Sequence, residues 1–255
     1  LLPSLEDRIP ANYYLRRLNG VIDLSFVHDM VRPLYCQDNG RPSIDPEVVI
    51  RLFLLQAITG ISSVRELLRE ADLHLGYRWF IGYNATEALP NHSSLSVALS
   101  RFDDDLFNEL FQRSISQCKS SGLIEGKMLH IDATTIRADL SKDCVNKPES
   151  SDPDARFGHF PDGTLNPGYK QQTVVDDKSR VVLSIDVFSA DVNEGSEIAS
   201  VLDEAVDVLD RAPDVVCADS AYANGLNRSD CEDRGIRFVS PPRKACNHHS
   251  GDQFN

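Results

Sequence analysis

The hydrophobic pattern of this 255-residue chain changes period once, near Lys127, and that change limits the folds open to it. Upstream, apolar residues recur at helical spacing. Asp45-Pro46-Glu47 sets an N-cap, a first-turn proline and an early acid ahead of a dense apolar run, Val48 to Ile58. The run is apolar on nearly every face, so the sequence predicts a central, buried helix ended by Gly60. Ser63 and Glu66 fit a capping box for a shorter helix carrying Val64, Leu67 and Leu68. Leu106, Phe107, Leu110, Phe111 and Ile115 define a third, from about Asp103 to Cys118, stopped by Ser121-Gly122.

Downstream the pattern becomes that of short strands. Lys127 to Asp132 reads as a strand, and the Ser-, Asp-, Pro- and Gly-rich residues 140–168 read as a long loop. Strands follow at about 171–176 and 180–188. Asn193 caps a helix whose stripe is Ile198, Val201, Leu202, Ala205, Val208 and Leu209. Val215 to Asp219 is a short buried strand, a helix runs to about Arg234, and Ile236 to Val239 makes a last strand. Three strands followed by alternating helix and strand suit a mixed sheet with flanking helices. The expected organisation is an all-α domain over residues 1–126 and an α/β domain over residues 127–255.

Composition removes several function classes. No stretch reaches the roughly 18 apolar residues of a membrane span, and no signal-peptide pattern opens the chain, so a cytoplasmic protein with no membrane partner is expected. The six cysteines include no CxxC pair and read as reduced thiols. No GxxxxGK[ST] phosphate loop supports an ATP-driven mechanism. Cys246, His248 and His249 match no standard zinc spacing. The formal net charge is −13, with 27 aspartates among 39 acids and only 7 lysines beside 19 arginines. This resembles the composition of proteins from salt-loving organisms; the alternative is an ordinary acidic cytosolic protein.

Asp132 and Asp219 each close a short apolar strand, and ligand sites in open α/β sheets collect at such ends. A strand-end aspartate taken alone is more often a turn or helix cap. On neighbouring strands, the two would share a cleft able to contribute to a site for paired Mg²⁺ or Mn²⁺ ions roughly 4 Å apart.

Several ordered motifs resemble those of DDE-type insertion-sequence transposases of bacteria and archaea. His130-Ile-Asp132-Ala-Thr-Thr-Ile-Arg-Ala-Asp-Leu-Ser141 looks like the family's first-aspartate motif, and Val216-Cys-Ala-Asp219-Ser-Ala-Tyr222 its second. Asp152-Pro-Asp154-Ala-Arg156, Gly168-Tyr-Lys170 and Val175-Asp176 are similar to landmarks between them. Gly40-Arg-Pro-Ser-Ile-Asp45-Pro46, Gly60-Ile-Ser-Ser-Val-Arg65-Glu66-Leu67 and Asn91-His92-Ser93-Ser94-Leu95 resemble the family's helical N-terminal domain.

The resemblance implies an RNase H-like core that cleaves and transfers DNA strands by two-metal chemistry, with Asp132 and Asp219 as the first two catalytic, metal-binding acids. The third, a glutamate on a helix beyond the last strand, finds no counterpart, and Glu232 reads as a surface acid on the helix before that strand. The chain starts at Leu1 rather than methionine, so a fragment with an incomplete active site is expected. Implied partners are double-stranded DNA (element terminal repeats and target) and a second copy in a homodimer.

For DNA contact the candidates are Arg137, Lys142, Lys147 and Lys170, with Arg156 and Lys178 in the same basic cluster around the first aspartate and its loop. In the helical domain they are Arg65 and Arg69, with Arg78 on the same expected DNA-facing helix. A solvated mixed-charge loop, and ordinary surface arginines in the helical domain, are the commoner reading of such residues. The rival reading of the whole chain is a non-catalytic DNA-binding or dimerisation remnant, and a metal-dependent nuclease is a more distant one.

Overall fold

The structure is a computed structural model that describes residues 4–34, 44–147, 149–193, 195 and 198–242. Cys36, Cys246, His248, His249 and the Gly40 to Ser43 stretch lie outside the described residues. Two compact units are present, Leu1–Ser114 and Ile115–Asn255.

The first unit is helical: α1 (Leu5–Arg8), α2 (Tyr14–Asn19), α3 (Val27–Val31), α4 (Pro46–Thr59), α5 (Val64–Leu73), α6 (Leu75–Phe80), α7 (His92–Leu99) and the greater part of α8 (Asp104–Ser120). Local signals set the ends. The Asp45 carboxylate accepts the Glu47 N–H at 2.8 Å at the start of α4, and Gly60 closes it with φ +70°, a conformation costly for a side chain. Ser63 accepts the Glu66 N–H to start α5. The core gathers Leu15, Val27, Ile50, Leu55, Leu67, Phe80, Leu95 and Leu106.

One expectation is corrected here. α4 buries Val49, Ile50, Leu52 and Leu55, but Phe53 and Ile58 are exposed, so the helix is not enclosed on every face. Phe53 instead packs against Phe107 on α8, ring centroids 5.3 Å apart. Among the described residues no single helix is long and apolar enough to cross a membrane.

The second unit is a six-stranded sheet with β1 (Met128–Arg137), β2 (Arg156–His159), β3 (Leu165–Asp176), β4 (Val182–Ser189), β5 (Val215–Ala218) and β6 (Arg237–Val239). β1, β3 and β4 run antiparallel; β5 lies parallel to β1 on its other edge, and β6 parallel to β5. Four strands in succession joined by antiparallel pairings, then two parallel ones each reached through a helix, make an RNase H-like sheet. The crossover helix α9 (Ile198–Leu209) packs on β4 and β3, and α10 (Gly225–Asp233) packs on β6 and α9. α9 buries Ile198, Val201, Leu202, Ala205 and Leu209, and its Val201 carbonyl accepts the buried Ser184 hydroxyl at 2.6 Å.

The sheet is more extensive than the sequence predicts. β1 continues five residues past Asp132, and the expected loop 140–168 contains β2 and the start of β3. Leu165-Asn-Pro-Gly reads as a turn because proline and glycine usually interrupt strands. Here Pro167 and Gly168 are buried within β3, and a Cβ on Gly168 would meet the Ile136 carbonyl oxygen at 2.1 Å. Glycine is needed there because β1 and β3 approach closely.

Candidate active site

The β1–β5 ladder pairs Leu129 with Val216, His130 with Cys217 and Ile131 with Ala218. The next residue on each strand is an aspartate, Asp132 on β1 and Asp219 just beyond β5. Because side chains alternate along a strand, Leu129, Ile131 and Val216 enter the core, while His130, Asp132, Cys217 and Asp219 belong to the opposite face. Neighbouring parallel strands lie about 4.8 Å apart, so the two carboxylates share one face of the sheet where the β1–β5 pairing ends, although β1 itself runs on to Arg137 and Asp132 does not close its strand as the sequence predicts. Both are exposed.

Each carboxylate is oriented by a short local bond. Asp132 Oδ1 accepts the Ala133 N–H at 2.9 Å, and Asp219 Oδ1 accepts the Ala221 N–H at 2.8 Å. The second bond caps the 3-10 turn Ser220–Tyr222, so Asp219 also has the capping role common at strand ends. Neither carboxylate has a cationic partner among the described residues. All-oxygen donors on adjacent strands suit a hard divalent cation such as Mg²⁺ or Mn²⁺. The described residues contain no group of three His, Cys, Asp or Glu side chains able to hold a metal.

The basic candidates are dispersed. Arg137 is on β1 but an odd number of residues from Asp132, which gives it the opposite face; it pairs with Asp162 and lies over the Phe160 ring. Lys170 pairs in register with Thr135, likewise on the face opposite Asp132, and its ammonium donates to the Val192 carbonyl at 2.7 Å. Lys142 donates to the Leu165 carbonyl at 2.7 Å. Lys147 is exposed, in the connection after the 3-10 turn Lys142–Cys144. Arg65 and Arg69 are exposed on α5, with Arg65 3.0 Å from the His92 ring.

Arg78 does not belong with them. It lies on α6 rather than α5, is 5% exposed, and donates to the carbonyls of Asp72, Asn84 and Glu87 while pairing with the Asp72 carboxylate. Its fork of donors closes the turn after α6, so it is an internal tie.

Asp152, Tyr169 and Asp176 stand in landmark segments of the sequence that assign them no role; in the structure they are tie points. Asp176 is fully buried and accepts N–H bonds from Glu125, Gly126 and Ser179 and the Ser179 hydroxyl bond. Burial pushes its carboxyl up, but those bonds outweigh it and hold the group below the usual carboxylate range. Asp152 accepts the Tyr169 hydroxyl, an anionic partner that pushes the phenol up to about 12. Gly195 receives bonds from Asn224 Nδ2 and Asn227 Nδ2, both at 2.7 Å. Apart from those landmarks, the sequence signal for these roles is short polar residues beside buried strands, and loops show the same signal.

The family models match in two blocks. Residues 3–101 match a transposase domain (DUF772), and residues 126–252 match a transposase DDE domain. No curated protein matches. Similar solved structures include the simian T-cell lymphotropic virus intasome in complex with PP2A regulatory subunit B56 gamma, at 20% identity over 47% of this chain and 33% of that one, TM-score 0.29. The piggyBac transposase synaptic complex with hairpin DNA is 12% identical over 91% of this chain and 49% of that one, TM-score 0.38. The Mos1 transposase paired-end complex with the left transposon end is 10% identical over 92% and 70%, TM-score 0.29. The chain thus spans about a third and about half of the length of the first two. With a transposase domain and a DDE domain in tandem, the chain belongs to the DDE transposase family.

Proposed function

We propose that the chain carries out metal-dependent DNA strand cleavage and transfer for an insertion sequence, with Asp132 and Asp219 as two of its catalytic carboxylates. The observation that carries this reading is their placement at the next register step of a parallel strand pair, on one exposed face. Bound Mg²⁺ or Mn²⁺ would supply positive charge to the attacking and leaving oxygens of the phosphodiester. The residues would hold the cations and fix their spacing, and the Ala133 and Ala221 N–H bonds restrict carboxylate rotation beforehand.

We propose that the third carboxylate is not among these 255 residues. Glu232 is an exposed acid on α10, a helix that packs on β6 and α9. The proposed partners are the element's terminal repeats, target DNA and a second copy of the chain.

The test is end cleavage. Incomplete electrostatic stabilisation costs such a site about 3 kcal/mol or more, at least a hundredfold in rate. The 255 residues alone are expected to bind terminal repeats without cutting them in Mg²⁺. A form extended by a glutamate-bearing helix is expected to cut, and to lose cutting on Asp219→Asn. Efficient cutting by the 255 residues would place the third acid within them. Cutting at random ends would make the protein a nuclease, and binding with no cutting in the extended form would make it a remnant.

A further inference from the structure

We propose that Gln172 and Tyr222 are a positioning pair that sets the separation of the Asp132 and Asp219 carboxylates. The proposal rests on the metal-binding reading of those acids. Both side chains are fully buried, and Gln172 Nε2 donates to the Tyr222 hydroxyl at 3.0 Å. Each partner lies near one carboxylate, Tyr222 along the chain and Gln172 across the β1–β3 ladder. Tyr222 ends the 3-10 turn that Asp219 caps. Gln172 precedes Thr173, the residue opposite Asp132 in the β1–β3 ladder. The bond therefore closes a circuit from Asp132 across the ladder to β3, through the two buried side chains, and back along the turn to Asp219.

The surroundings fix the tyrosine end. Asn227 Nδ2 donates to the Tyr222 carbonyl at 3.0 Å and to the Gly195 carbonyl at 2.7 Å. A Cβ on Gly195 would meet the Ala221 carbonyl oxygen at 2.5 Å, so the turn lies directly on that glycine. The Ser240 hydroxyl donates to the Asp219 carbonyl at 2.6 Å from the other side. Packing alone does not call for an amide at 172. Gln172 Oε1 is buried with no hydrogen-bond partner among the described residues, a cost that an apolar side chain of similar length would avoid. What the amide adds is the N–H that reaches Tyr222.

The experiment is Mn²⁺ titration calorimetry on the 255-residue chain, at a temperature where circular dichroism shows each variant folded. Tyr222→Phe removes one oxygen, and Gln172→Met removes the donor at near-constant volume. Each is expected to weaken Mn²⁺ binding about tenfold, the lower end for outer-shell changes, and the double variant no more than either alone. A purely structural role would lower the urea midpoint and leave Mn²⁺ affinity of the folded protein unchanged. Should Tyr222→Phe not fold, Gln172→Met carries the test. Parental affinity in either folded variant, while Asp219→Asn loses binding, overturns the positioning role. Retained affinity in both Asp132→Asn and Asp219→Asn overturns the metal reading itself.

Discussion

Asp176 accepts the Gly126 N–H at 2.7 Å, fixing the segment that enters β1 to the turn between β3 and β4. The same carboxylate accepts the Ser179 N–H and hydroxyl, each at 3.1 Å, so one buried charge organises two connections. Asp176→Asn keeps the shape but loses the charge-assisted bonds, and it should cost about 2–3 kcal/mol, read from urea midpoints. Its carboxyl is held low in the folded state, so its contribution is present above the ordinary carboxylate value of about 4. That contribution is lost as pH falls through the folded value. The parent should therefore lose stability below about pH 4 more steeply than the Asn variant. Parallel curves would remove this role.

The carboxylate pair makes a separate prediction. Mn²⁺ should bind weakly, and Asp132→Asn or Asp219→Asn should each abolish binding without unfolding the protein. Both acids are exposed and neither enters the core, so circular dichroism and melting temperature should remain near the parent's. Wild-type Mn²⁺ affinity in both variants would contradict a shared site.

Arg78 is expected to behave as a core residue. Arg78→Ala leaves the carbonyls of Asn84 and Glu87 without their guanidinium donor and should cost about 3 kcal/mol. Arg65→Ala should cost less than about 0.5 kcal/mol, since it is an exposed helical residue. Similar denaturation midpoints for the two variants would count against the distinction.

Any DNA affinity must come from local basic groups, because the chain carries a net charge of −13. It should fall steeply with added salt. Replacing Lys142, Lys147 and Lys170 by alanine should weaken binding to all sequences alike, as should replacing Arg65 and Arg69. The ammonium groups of Lys142 and Lys170 already bond main-chain carbonyls, so the lysine set should also loosen the loop near Leu165. Filter binding with no change in either set would move the DNA surface elsewhere.

The aspartate-rich, lysine-poor surface predicts a response to salt in the protein's own stability. If its composition reflects adaptation to high salt, solubility and melting temperature should rise between low and molar KCl. Indifference to KCl leaves an ordinary acidic protein.

The helical signals were legible where one residue type does one job. Asp45, Pro46, Gly60 and Ser63 act as their chemistry predicts, because capping is a local interaction. The edges of β1 and β3 were not legible, because Pro167 and Gly168 are strand residues only by virtue of the strands beside them. The two aspartates stood out at the ends of apolar runs, whereas their register across β1 and β5 depends on pairing between distant segments. Arg78 was misplaced for a similar reason. Its sequence neighbours suggest a surface helix, and its burial comes from the chain folding back over it at Asn84 and Glu87.

The parallel pairing of β1 with β5 also bears on the order of folding. The antiparallel β3–β4 hairpin closes through a short turn, whereas β5 reaches β1 only after α9 has crossed the sheet. Closing that longer loop costs more chain entropy before any contact offsets it, so the β1–β5 edge is expected to zip late. The two acids then meet only in the nearly complete domain. A nascent or partly unfolded chain would hold the two aspartates apart.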